Sequence, residues 1–150
     1  QHQLSPQIPQ GAAHLILTLE PVEGLRVMGP LANPQTMMVA NTRPVLPLDV
    51  LAGQMSYPDL SEIFDKMSRL CRRVWTVEAT RIALDLGSPV LANIVLLGAA
   101  GAAELLPFDR NGLEKVLQGR LGPEKTALNL EAFDRGGQAV QSRQTDGLKP

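Results

Sequence analysis

Short apolar runs and segments of helical spacing alternate along the chain. "HLILTL" (His14 to Leu19) is a continuous apolar run, as expected of a strand covered on both faces. The following "EPVEGLRVMG" places Val22, Leu25, Arg26 and Met28 at helical spacing, and "NPQ" (Asn33 to Gln35) breaks the chain before a second run, "TMMVAN" (Thr36 to Asn41). Strand, short helix and strand make a crossover unit of the kind that joins parallel strands. A long irregular connection follows, with Pro44, Pro47, Gly53 and Pro58 in it. Connections of this length are either functional or interaction loops or plain proline-stiffened surface.

Asp59 or Ser61 can cap a helix through "LSEIFDKMSRLC", where Leu60, Ile63, Phe64, Met67 and Leu70 form one apolar stripe. "RVWTVEA" (Arg73 to Ala79) supplies a third strand, and "TRIALDLG" a helix closed by Gly87 as a left-handed C-cap. Ser88 and Pro89 fit an N-cap and a first helical position. They open a run with no charge from Leu86 to Ala103. That run is broken by glycine, proline and asparagine and falls short of the roughly 20 apolar residues a spanning helix needs. It predicts a helix buried all round. Gly98, Gly101 and Ala102 then let another backbone approach, at a cost near 1 kcal/mol of helix propensity per glycine. The helix packs centrally or at a subunit interface. Helices from Asp109 and from Pro123 close the domain, which spans residues 1–140, and residues 141–150 read as a disordered tail.

The alternation gives the fold class: a layered α/β/α domain with a mostly parallel or mixed sheet. Composition adds that the core is aliphatic, since aromatics make up only 3% of the 150 residues. Charge excludes partners rather than naming one. The 14 basic and 15 acidic residues are interspersed, without the footprint of a nucleic-acid or membrane-surface binder. The opening "QHQLSPQIPQG" has neither a basic n-region nor an apolar h-region, so a cytoplasmic location is expected. Cys71 is the one cysteine, expected to be an inert buried thiol. His2 and His14 lack metal-site spacing, so no metal is expected.

Ligands of open α/β sheets favour the carboxyl ends of the strands. Glu20, Glu23 and Arg26 follow the first strand, Asn41, Thr42 and Arg43 the second, and Glu78 and Thr80 the third. Glu23 and Arg26 also suit an ordinary ion pair along one helix. Arg43, beside the proline-rich loop, suits a carboxylate or phosphate. Asn93, the one strongly polar side chain of the apolar helix, is either a buried structural amide or a ligand contact. No G-x-G-x-x-G, P-loop, nucleophile elbow or Cys/His pair is present, and no catalytic residue is assigned.

"VEATRIALDLGSPVLANIVLLGAAGA" (Val77 to Ala102) resembles the gamma subunit or domain of 2-oxoacid:ferredoxin oxidoreductases. "EKTALNLEAFDRGG" (Glu124 to Gly137) is similar to that family's closing helix, with Asn129, Ala132, Phe133 and Gly136 in matching places. "SPQIPQGAAHLILTLEPVEGLR" and "VANTRPVLPLDVLAGQMSYPD" resemble the indolepyruvate branch. The resemblance implies a noncatalytic component supporting oxidative decarboxylation of a 2-oxoacid, such as an aryl pyruvate, to an acyl-CoA. Electrons would pass to ferredoxin, which this chain meets only indirectly. Thiamine diphosphate, iron–sulfur clusters and CoA are then expected in other subunits and no cofactor in this chain.

The family pattern opens with a glycine-rich strand-to-helix turn and a downstream Arg-Gly-Gly segment, and neither precedes Gln1. The chain therefore reads as the C-terminal two-thirds or so of a gamma-type domain lacking its N-terminal portion. A sheet edge without its neighbour predicts contacts with other subunits or with a second copy of the chain. The competing reading is a stand-alone module that binds a small anionic metabolite through Arg43.

Overall fold

The computed structural model describes the backbone of residues 7–146 and the side chains of residues 7–140. Three strands, β1 (Leu15–Thr18), β2 (Met37–Asn41) and β3 (Arg73–Val77), form a parallel sheet in the order β1-β2-β3. Leu15 pairs with Met37, and Met37 with Arg73. Between β1 and β2 runs helix α1 (Pro21–Leu31). Between β2 and β3 lie a single turn, α2 (Leu48–Leu51), and the helix α3 (Leu60–Leu70). Beyond β3 come α4 (Ala79–Asp85), a 3-10 turn (Pro89–Leu91), α5 (Ala92–Ala102), α6 (Arg110–Gln118) and α7 (Pro123–Asp146).

The sheet separates two cores because strand side chains alternate between faces. Met38 and Ala40 of β2 enter one core with Met28 of α1 and Ile63 and Met67 of α3. Val39 enters the other, with Val77, Ala83, Val95, Leu96 and Ala132 from β3, α4, α5 and α7. Met38, Val39 and Ala40 are all fully buried. That explains why β2 reads as an unbroken apolar run rather than an alternating one. Full burial of such a side chain stabilises by about 1.5–3 kcal/mol. By contrast β1, expected to be covered on both faces, lies at an edge of the described sheet with Leu17 exposed.

Local chemistry sets the helix ends. Asp59 accepts from the Ser61 N–H at 2.7 Å and caps α3. The stripe of α3 turns Ile63 and Met67 inward, while Leu70, at its end, is exposed. After α4, Gly87 has φ 86°. Its N–H donates to the Leu84 carbonyl at 2.9 Å and that of Ser88 to the Ala83 carbonyl at 3.0 Å. This is the Schellman pair that a left-handed glycine makes possible. The same pair of bonds recurs after α5, with Glu104 in the left-handed position at φ 58°.

Helix α5 departs from its expectation at its start. Pro89 opens a 3-10 turn, not the α-helix itself, Ser88 makes no side-chain cap bond, and α5 begins at Ala92. Its inward face is Ala92, Val95, Leu96, Ala99 and Ala100. Leu97 is covered separately by Leu113 of α6 and by Leu130 and Phe133 of α7. Asn93 falls between these faces and is exposed, its Oδ1 accepting from the Ile94 N–H at 2.7 Å. The expectation of a buried amide at Asn93 is thus corrected: the helix is covered on two sides, not all round.

Against α7, α5 makes a backbone-to-backbone contact. A Cβ on Gly98 would collide with the Phe133 carbonyl oxygen, and a Cβ on Gly136 with the Val95 carbonyl oxygen. The close approach expected of Gly98 is therefore present. Its partner is the helix carrying Ala132, Phe133 and Gly136. Helix α7 continues to Asp146, through part of the segment read as a disordered tail; residues 147–150 lie outside the described residues.

Candidate functional site

The carboxyl ends of β1 and β2 meet at Asn41, which is 2% exposed. Its Nδ2 donates to the Leu19 carbonyl at 2.9 Å and to Thr80 Oγ1 at 2.8 Å. Its Oδ1 accepts from the Thr80 N–H at 3.2 Å. Thr80 lies in the first turn of α4, whose own N-cap residue, Glu78, makes no side-chain cap bond. Asn41 thus satisfies a helix N-terminal donor from the neighbouring strand, a need every helix start carries. The amide closes three elements together and has no bonding capacity left for a ligand except one acceptor lone pair.

Thr42 extends the ladder, its N–H donating to the Val77 carbonyl at 2.9 Å. Arg43 is exposed, with Thr42, Glu78, Arg81 and Leu84 around a cleft of about 310 Å³. Arg81 is paired with Glu78 at 3.0 Å, whereas Arg43 has no ion pair among the described residues. Glu23 and Arg26 form the exposed pair along α1 that their spacing suits. The Arg26 guanidinium is held above its ordinary value by the Glu23 hydrogen bond and charge.

Glu20 has a role the sequence did not disclose. Its Oε2 caps α1 by accepting from the Glu23 N–H at 2.8 Å. Its Oε1 accepts from the Tyr57 hydroxyl at 2.5 Å and from the Val45 N–H at 3.4 Å. One carboxylate therefore fastens both ends of the proline-rich loop to the start of α1. Burial and the Glu20 hydrogen bond and charge push the Tyr57 phenol well above its ordinary value of 10.0. A lone tyrosine in a proline-rich loop is the only signal by which sequence reasoning could have found this clamp.

Glu20, Asn41, Thr42 and Arg43 thus lie at the carboxyl ends of β1 and β2, and Asn93 shares none of their bonds. The strand order does not reverse within β1-β2-β3. The described sheet therefore lacks the switch point at which doubly wound folds open a ligand crevice. No group of three or more His, Cys, Asp or Glu among the described residues could hold a metal ion. His2 lies outside them, and Cys71 is buried, with its thiol pushed up by burial. An iron–sulfur cluster needs several thiolates or imidazoles together. One buried cysteine does not fit it. No helix of the described residues is long and apolar enough to cross a membrane.

A parallel sheet with a helical core on each face defines a layered α/β domain. The gamma subunit of a keto/oxoacid ferredoxin oxidoreductase from Geobacter sulfurreducens has the same fold, with a TM-score of 0.56 at 18% identity. The match covers 86% of this chain and 64% of that one. The chain belongs to the pyruvate ferredoxin/flavodoxin oxidoreductase family, whose model matches residues 1–139. Indolepyruvate oxidoreductase subunit IorB of Archaeoglobus fulgidus is 34% identical over 140 residues, 93% of this chain and 69% of that protein. Its counterpart from Pyrococcus horikoshii is 30% identical over 135 residues, 89% of this chain and 66% of that protein. The chain spans about two-thirds of the length of these relatives.

Proposed function

We propose that this chain is the gamma component of an indolepyruvate-type 2-oxoacid:ferredoxin oxidoreductase, a cytoplasmic assembly in which it braces other subunits and supplies no catalytic residue. The family match across residues 1–139 carries the reading, and the 34% identity to an indolepyruvate subunit points to the branch. The assembly would oxidatively decarboxylate an aryl pyruvate, conserve the acyl group as a thioester and pass two electrons singly to ferredoxin. Thiamine diphosphate, iron–sulfur clusters and CoA belong to the other subunits in this reading, and for the clusters it is supported by the lack, among the described residues, of any group of His, Cys, Asp or Glu that could hold a metal ion. The residues of this chain hold positions instead. Asn41 locks the strand ends to α4, Glu20 locks the loop to α1, and Gly98 and Gly136 lock α5 to α7.

The test is anaerobic purification of the protein at its full natural length, followed by assay of indolepyruvate-dependent reduction of ferredoxin. The reading expects a thiamine- and cluster-containing subunit to copurify, with activity in the complex and none in the isolated chain. A monomer that recruits no such subunit from its own extract sinks it.

Arg43 supports a second reading, a module binding a small carboxylate or phosphate, because its exposed guanidinium is unpaired among the described residues. Calorimetric titration with inorganic phosphate and with a 2-oxoacid, on the native chain and on Arg43→Ala, decides it. Binding lost in the variant supports the module, and no heat with either ligand ends it.

A further inference from the structure

The loop between β2 and α3 turns its apolar side chains outward. Val45, Leu46, Leu48, Leu51 and Met55 are between 40% and 83% exposed. Helix α2, the one turn within the loop, buries none of its residues. A loop that packed nothing would ordinarily be polar, and exposed apolar side chains concentrated in one such segment point to an interaction surface. The loop is nevertheless held in place, because Tyr57 and the Val45 N–H both bond to Glu20. Beneath it lies a cleft of about 680 Å³. Val22, Val50 and Tyr57 are among its lining residues, and the only charged side chains lining it are the carboxylates of Glu20, Glu23 and Asp49. Glu23 is paired with Arg26 and Glu20 with Tyr57, whereas the Asp49 carboxylate has no hydrogen bond or ion pair among the described residues.

Building on the gamma-component reading, we infer that this loop and cleft are the surface on which another subunit of the oxidoreductase docks, through an apolar segment flanked by Lys or Arg. The apolar side chains of that segment fill the cleft and cover Leu48 and Leu51, and its cation meets Asp49. A preorganised apolar surface loses little conformational entropy on binding, which favours affinity. The carboxylates of Glu20 and Asp49 in the lining disfavour acidic partners and steer basic ones.

The experiment uses the anaerobically purified complex with benzoylphenylalanine placed at Leu48 or at Leu51. Val116 on α6, 56% exposed, is the control position. After irradiation, mass spectrometry should find adducts from the loop positions to a different subunit, at an apolar stretch bearing Lys or Arg, and none from the control. Asp49→Lys should weaken association about tenfold at low salt and less at high salt, as a screened charge contact does. The melting temperature of the isolated chain should not change. Adducts between two copies of this chain, or adducts to an acidic stretch, overturn the inference. An intact, active complex without loop adducts also overturns it, and leaves the functional reading standing. Failure to form any complex overturns both.

Discussion

Gly98 of α5 lies against the Phe133 carbonyl of α7, and Gly136 of α7 lies against the Val95 carbonyl of α5. The two helices therefore touch main chain to main chain at two reciprocal points. Adding a methyl group at either point must push the helices apart, because the obstacle is backbone and not a side chain that can rotate. Gly98→Ala and Gly136→Ala are each expected to destabilise by about 2 kcal/mol or more, overpacking outweighing the gain in helix propensity. Gly119→Ala, where a Cβ meets nothing closer than 3.7 Å, should be near neutral. Denaturant unfolding of the variants measures this. Equal stabilities for all would mean that the helices have room to separate.

Asn41 should behave as a structural amide. Asn41→Ala takes the partner from the Leu19 carbonyl and the Thr80 N–H, both partly buried, and losing a hydrogen bond of this kind costs about 1 kcal/mol. The expected result is a loss of roughly that size per group, with faster amide exchange at Thr80. A variant as stable as the native chain would show that water replaces the amide.

The clamp between Tyr57 and Glu20 should be visible in alkaline titration. A phenol whose proton is held more tightly in the folded state adds stability that is fully present below its ordinary value of 10.0. That stability is lost as pH rises beyond this value. The native chain should therefore lose stability above this pH, whereas Tyr57→Phe should lose about 1 kcal/mol at neutral pH and show a flatter alkaline slope. The chain has one tyrosine, so tyrosinate absorbance reports this group alone. Ionisation near the ordinary value would show that the clamp is open in solution.

Glu104 holds a left-handed conformation at φ 58° without being glycine. Such a position costs an L-residue of this kind roughly 1 kcal/mol. Glu104→Gly should raise stability by up to about that amount, measured by thermal or denaturant unfolding. Destabilisation would mean that the side chain makes a compensating contact.

The alternation of strands and helices was legible in the chain, as were Gly87 at a helix end and Gly98 at a close approach, because each depends on local spacing or on one residue's special freedom. The two asparagines were harder to separate. Asn93 sits among apolar residues, yet it falls between the two covered sides of α5 and faces outward. Asn41 ends a strand like many others, and its burial depends on Thr80 arriving from beyond β3. Glu20 read only as a charged residue after the first strand, because its cap on α1 and its bond to Tyr57 depend on how the chain turns and the loop folds back. The residues carrying the family resemblance in α7, Ala132, Phe133 and Gly136, turn out to be packing residues. They reveal kinship and fold, and not chemistry.

Because every pairing in the sheet is parallel, no strand can form against its neighbour through a tight turn. β2 must wait for α1 to cross over from β1, and β3 for the whole of the loop and α3. Such distant pairings make folding slow, since loop closure precedes any reward from contact. During that interval the unpaired edges and the outward-facing leucines of the loop are exposed together on the growing chain. Production of this protein should therefore be limited by aggregation of incompletely folded chains, and cooler synthesis or coexpression with a protecting subunit should raise the folded yield.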